Sequence, residues 1–308
     1  MVPDPAASTT PAPSRTQVFA RRLATFVILW SAVLAALFCA GPAFSNYFFL
    51  GVMVALSAIG LREFYALAEQ RGLVCFKAWG MVGGALLMIS TFVYSSGEFG
   101  REMPPSKVND FETSILVVLV LGVCLRQLFA PRNPAGLPAI AVTLLGLLYV
   151  PWLLNFLQKI HFFYQANANG RYYLLYFILV TKCSDTGAYV VGTLLGRHKL
   201  IPRLSPGKTW EGLAGALAVA TGASAAFAAL AGPHLVGMTF LHSIILGLLL
   251  GGAAVVGDLI ESMFKREAAV KDSGRLLPGM GGMLDLLDSL LFNAPLMYLY
   301  LRHILTHQ

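Results

Sequence analysis

The sequence predicts an all-α, polytopic membrane protein of about nine transmembrane helices, with its N-terminus in the cytoplasm. Three observations carry that prediction. The chain is 57% hydrophobic and 12% charged, where a soluble domain carries about 25% charged residues. Its mean hydropathy is +0.70, built from repeated apolar runs close to the ~20 residues that a helix needs to cross a bilayer. The basic residues are distributed unevenly between the two sides that those runs define. With the N-terminus inside, 16 of the 22 Lys and Arg fall on the cytoplasmic side and 5 on the other, with Lys182 inside a span. This bias accounts for the net charge of +7 without a nucleic-acid partner.

Taken in order, residues 1–17 are rich in Pro, Ala, Ser and Thr and read as a disordered cytoplasmic tail. Residues 18–170 hold the N-terminal transmembrane helices, with spans expected near 24–40, 44–61, 78–95, 113–130 and 137–157, the last open to kinking by Pro151. Residues 171–308 form the C-terminal region, with spans near 172–194, 210–231, 239–258 and 281–304 and cytoplasmic loops at 196–209 and 259–280. Cys39, Cys75, Cys124 and Cys183 lack metal-ligand spacing and are expected as buried free thiols.

The polar residues that depart from this pattern cluster in the C-terminal region. Lys182 and Asp185 lie three apart inside the sixth span, where they can pair on one helix face. Ionisable groups inside a span cost at least ~2.5 kcal/mol each on insertion scales, and so mark function or an internal ion pair. The loop GRHKLIPRLSPGKTWEG (196–212) sets Ser205, Lys208 and Thr209 around a Pro-Gly turn, where backbone amides, hydroxyls and a lysine suit phosphate oxygens. It lacks the glycine spacing of a Walker A loop. Asp258 closes the eighth span, Asp285 and Asp288 open the ninth, and Lys265, Arg266, Lys271, Asp272 and the pair Gly281-Gly282 lie between. Carboxylates arriving at one face from two helices suit a hard divalent cation. A glycine pair permits close approach of backbone.

These residues carry a resemblance. Ser262-x-x-Lys265-Arg266, Lys271-Asp272-x-Gly274 and Pro278-x-x-Gly281-Gly282-x-x-Asp285-x-x-Asp288 resemble the signature of the phosphatidate cytidylyltransferases. The segment Ser184-Asp185-Thr186-Gly187-Ala188-Tyr189, with Ser205-Pro206-x-Lys208-Thr209-x-Glu211-Gly212 after it, is similar to the same family. By motif the resemblance covers about 180–290. Two positions depart from it: Met280 stands where the family usually has His, and Leu286 where it usually has Arg. Lys271 and Arg275 are the candidates to replace those side chains.

The resemblance implies that CTP and phosphatidic acid give CDP-diacylglycerol and pyrophosphate at the cytoplasmic face of the cell (inner) membrane. It implies Mg²⁺ held by Asp258 and Asp285, with Asp288 and Asp185 supporting that site or a second cation. Lys271 and Asp272 join the catalytic set. Ser205, Lys208, Thr209, Lys265, Arg266, Gly281 and Gly282 are the implied substrate-binding residues. A homodimer is left open. So are a CTP-using transferase or kinase acting on another lipid, a transporter, and an inactive relative.

Overall fold

A computed structural model describes residues 42–97, 105–129, 136–163, 169–270, 272–274 and 281–306, together with residue 31. The expected tail, nearly all of the first expected span, and Lys271 and Arg275 lie outside these residues.

The described chain is almost wholly helical: α1 (Pro42–Gln70), α2 (Lys77–Ser95), α3 (Pro105–Leu128), α4 (Gly136–Leu147), α5 (Leu153–His161), α6 (Gly170–Leu195), α7 (Trp210–Ala231), α8 (Phe240–Glu267) and α9 (Met283–Tyr300). Seven of the described helices are long and apolar enough to cross a membrane, α4 and α5 counting as one. The protein is therefore an integral membrane protein.

Several helices outrun the spans expected from hydropathy. A 28-residue helix such as α8 is about 42 Å long, against a hydrocarbon core of about 30 Å. Its final turns, from Asp258 to Glu267, carry charge and extend the helix beyond the apolar run that announced it. Lys265 and Arg266 in its last turn complement the helix dipole.

Pro151 interrupts the ladder between α4 and α5, as its missing N–H requires. The chain answers with a π turn over Leu148–Trp152 rather than a break. The proline ring packs against α2 where Gly84 leaves room; a Cβ there would lie 3.0 Å from Pro151 Cγ.

Among the described residues, the sheet that departs from an all-α fold is an antiparallel ribbon, β1 (Lys199–Ile201) and β2 (Ser205–Thr209), paired Lys199 with Thr209 and Ile201 with Ser205. This segment was expected as a loop, because one strand has only three residues and the other, five long, contains Pro and Gly, so neither gives an alternating signal. Glu211 organises it. Its carboxylate accepts from the amides of Arg197 (3.1 Å) and His198 (3.2 Å), and pairs with His198 Nδ1 at 2.6 Å. Cys75, Cys124 and Cys183 are free thiols, but none is fully buried: Cys75 and Cys183 are half-buried and Cys124 is exposed, while Cys39 lies outside the described residues.

Helix α9 is the centre of the packing. It lies against α8, α5, α1 and α6, and buries Leu284, Leu287, Leu291, Ala294 and Met297. A helix apolar on several faces is one that other helices surround. Helices α6 and α7 approach at a seam of small residues, where a Cβ on Gly187 would lie 2.6 Å from the Gly215 carbonyl oxygen. Close backbone approach of this kind is a main source of helix association in lipid.

Candidate functional site

The ends of α6, α8 and α9 and the β1–β2 ribbon enclose a cleft of about 600 Å³. Asp185 borders it from α6, Asp258 and Lys265 from α8, Asp285 and Asp288 from α9, and Ser205, Lys208 and Thr209 from the ribbon. Eight of the expected site residues thus meet around one space, although 103 positions separate Asp185 from Asp288.

The carboxylates divide into two groups. Oxygens of Asp258, Glu261 and Asp288 all lie within 4.8 Å of one another. Asp258 and Glu261 share a face of α8, being three apart, and α9 supplies the third. Three convergent carboxylate oxygens, with no sulfur or imidazole among them, fit a hard cation such as Mg²⁺. Asp285 is engaged elsewhere. Its Oδ1 pairs with Lys265 Nζ at 2.6 Å. Its Oδ2 accepts from the amides of Gly282 (2.7 Å) and Ser273 (3.1 Å), and from Ser273 Oγ (2.8 Å). Asp285 is therefore linked through Lys265 to the fully buried Glu261, which lies beside Asp258 in the first group.

Basic groups interleave with the acids. Lys208 Nζ reaches from the ribbon to Asp258 Oδ2 at 2.9 Å and donates to the Val255 carbonyl at 3.1 Å. Lys182 and Asp185 do pair, at 3.1 Å. The same ammonium donates to the Leu286 carbonyl and to Ser289 Oγ, both at 3.1 Å. Ser289 Oγ in turn donates to Asp185 Oδ2 at 3.0 Å. The Lys182 ammonium thus lies between Asp185 of α6 and the first turns of α9, where it offsets the repulsion of converging carboxylates.

Other expected residues take supporting places. Thr209 borders the cleft, but it is buried, and its Oγ1 accepts from the Gly212 amide at 3.1 Å as the N-cap of α7. Arg266 does not line the cleft; its Nε donates to the Leu204 carbonyl at 3.2 Å and ties α8 to the turn of the ribbon. Asp272 is exposed and also outside the lining. Gly281 has φ +94, a conformation that glycine adopts readily, and a Cβ there would lie 2.6 Å from Asp285 Oδ2. A Cβ on Gly282 would press on Ser273 Oγ, on Glu63 Oε2 at 2.5 Å and on the Gly274 amide at 2.6 Å. Both glycines clear space for carboxylates.

The sequence profile of the Cytidylyltransferase family matches residues 20–304. The chain belongs to this family. It is 30% identical over 289 residues to a phosphatidate cytidylyltransferase of Haemophilus influenzae, covering 89% of this chain and 96% of that one. A phosphatidate cytidylyltransferase of Staphylococcus aureus is 44% identical over 142 residues, covering 46% of this chain and 53% of its own. A protein of Escherichia coli K12, the uncharacterized YnbB, is 38% identical over 163 residues, covering 53% and 51%.

Two groups at the site gave no signal as site residues in the sequence. Glu261 lies one turn beyond Asp258, at the end of an apolar run, where a single carboxylate is common. Glu63 lies in α1, 199 positions before the signature begins at Ser262, and reads there as an ordinary charge near the end of an apolar run. It nonetheless bonds Ser273, Met283 and Leu284.

Proposed function

We propose that the protein is a phosphatidate cytidylyltransferase, transferring the cytidylyl group of CTP to phosphatidic acid to give CDP-diacylglycerol and pyrophosphate. The observation that carries this reading is the meeting of Asp185, Asp258, Asp285 and Asp288 with Lys208 and Lys265 around one cleft. Membership of the family and the names of its relatives support the same chemistry.

In this reading a phosphate oxygen of the lipid attacks the α-phosphorus of CTP. A phosphorus–oxygen bond forms, the α–β phosphoanhydride bond breaks, and pyrophosphate leaves with the electron pair. The lipid phosphate is already anionic, so no covalent enzyme nucleophile is needed. What the protein supplies is positioning and charge. Lys208 and Ser205 on the ribbon face the cleft and suit triphosphate oxygens. Lys265, between α8 and α9, suits a phosphate arriving at the cleft wall. The proposed cofactor is Mg²⁺, held from the Asp258–Glu261–Asp288 cluster, with Asp285 adjoining through Lys265. When bound, the ion would neutralise phosphate charge.

The proposal sets the N-terminus and the cleft on the cytoplasmic side of the cell membrane. The excess of Lys and Arg on that side supports it. CTP then arrives from water and the lipid from the leaflet.

The test is turnover by purified protein with α-labelled CTP, phosphatidic acid and Mg²⁺, beside an Asp258→Asn variant. Label entering a lipid product with equimolar pyrophosphate, strongly reduced in the variant at the same Mg²⁺ concentration, is the expected result. Folded wild-type protein that leaves all label in water-soluble nucleotide would overturn the reading.

A further inference from the structure

Helix α9 carries Asp285 and Asp288, so its start sets where both stand. The first amides of a helix have no acceptor within it. Here the residue before the helix is Gly282, which has no side chain with which to cap them. The acceptor comes from α1. Glu63 Oε1 accepts from the Met283 amide at 3.0 Å, and Oε2 from the Leu284 amide at 2.8 Å. Glu63 Oε2 also lies 3.2 Å from Ser273 Oγ, the hydroxyl that bonds Asp285. One carboxylate therefore holds the helix start and shares the Ser273 hydroxyl with Asp285.

Its surroundings leave it little freedom. Glu63 is 9% exposed. The next residue, Phe64, packs edge-to-face on Phe264 of α8 at 5.7 Å between ring centroids. Tyr65 donates to the Thr143 carbonyl at 2.9 Å. Gly274 and Gly282 both present bare Cα atoms to the Glu63 carboxylate, and side chains there would collide with it.

We infer that Glu63 is a positioning residue for the transfer reaction, fixing the start of α9 and through it the placement of Asp285 and Asp288. This rests on the cytidylyl-transfer reading above. Glu63 does not line the cleft, and the ribbon groups facing it, Ser205 and Lys208, make no bond to Glu63. Loss of Glu63 should therefore act on turnover far more than on nucleotide affinity.

The experiment compares wild-type protein with Glu63→Gln. Glutamine keeps the shape, but turns an NH₂ donor toward an N–H donor, so the helix start must shift to relieve it. Two readouts are taken on folded, full-length protein: steady-state kinetics with CTP and phosphatidic acid, and hydrogen exchange of peptides covering 281–288. The expected result is kcat lowered at least tenfold, with KM for CTP within threefold, and at least tenfold faster exchange confined to the start of α9. If Glu63→Gln is not recovered folded, Glu63→Asp, one methylene too short to reach both amides, is judged by the same criteria. A kcat within twofold of wild type, an unchanged exchange rate at 283–284, or a loss expressed mainly in KM would each overturn the inference. Wild-type protein without turnover would instead overturn the proposed function, and the exchange readout would then decide alone whether Glu63 holds the helix.

Discussion

Replacing Lys265 with methionine tests the electrostatics of the cleft most directly. Lys265 stands between Asp285, 2.6 Å away, and Glu261 one turn back on its own helix. The side-chain exposures are 14% for Lys265, 13% for Asp285 and 0% for Glu261, so water screens this trio little. Methionine matches the stem in length and removes only the charge. Two carboxylates are then left facing each other without a cation, and breaking a buried pair in this way costs about 3–5 kcal/mol. If that cost is electrostatic, removing one of the two negative charges should return part of it. Glu261→Gln added to Lys265→Met should therefore restore about 0.5–3 kcal/mol, the usual range of coupling between neighbours. The assay is equilibrium unfolding of detergent-solubilised protein by SDS, followed by tryptophan fluorescence, on wild type, both single variants and the double variant. A loss below about 1 kcal/mol for Lys265→Met, or losses that simply add in the double variant, would refute the reasoning.

Chelation with EDTA should abolish turnover and added Mg²⁺ restore it, and Asp258→Asn should raise the Mg²⁺ midpoint at least about tenfold, the equivalent of about 1.4 kcal/mol. Lys159→Met should cost about 3–5 kcal/mol in the same unfolding assay, because Lys159 and Glu112 form a buried ion pair with exposures of 2% and 5%. It should leave kcat per folded molecule unchanged, since neither residue lines the cleft. Gly282→Ala should lower both stability and turnover, as its Cβ has no space. Gly222→Ala, with nothing within 4 Å of the new carbon, should stabilise α7 by up to about 1 kcal/mol in thermal unfolding. Glu211→Gln should loosen the ribbon and raise KM for CTP severalfold with a smaller change in kcat; an unchanged KM would show that the clamp does not matter for nucleotide binding.

The long helices were legible because lipid imposes a long apolar run on any helix that crosses it, and such a run needs no partner to be recognised. The acidic cluster was partly legible for a local reason: Asp285 and Asp288 lie three apart, and Asp258 precedes the same loop. What spacing could not reveal was that the two neighbours on α9 would separate. Asp288 turns toward Asp258 and Glu261, whereas Asp285 is drawn to Lys265 and Ser273. That difference arises from tertiary contacts. The ribbon was missed because its strands are short, and because a carboxylate outside them, on Glu211, orders their entry. Glu63 was missed because its hydrogen-bond partners lie 210 to 221 positions further along the chain.

The central position of α9 also bears on the order of synthesis. Every helix from α1 to α8 precedes it in the chain, so each leaves the ribosome before the element that completes its packing. Until α9 is inserted, Glu63 lacks the amides of Met283 and Leu284, Lys182 lacks the Leu286 carbonyl and Ser289, and Thr181 lacks the amide of Asn293, which it meets at 3.1 Å. A chain stalled before residue 283 would therefore leave those polar groups without the partners that α9 brings, exposed to water or to whatever else reaches them.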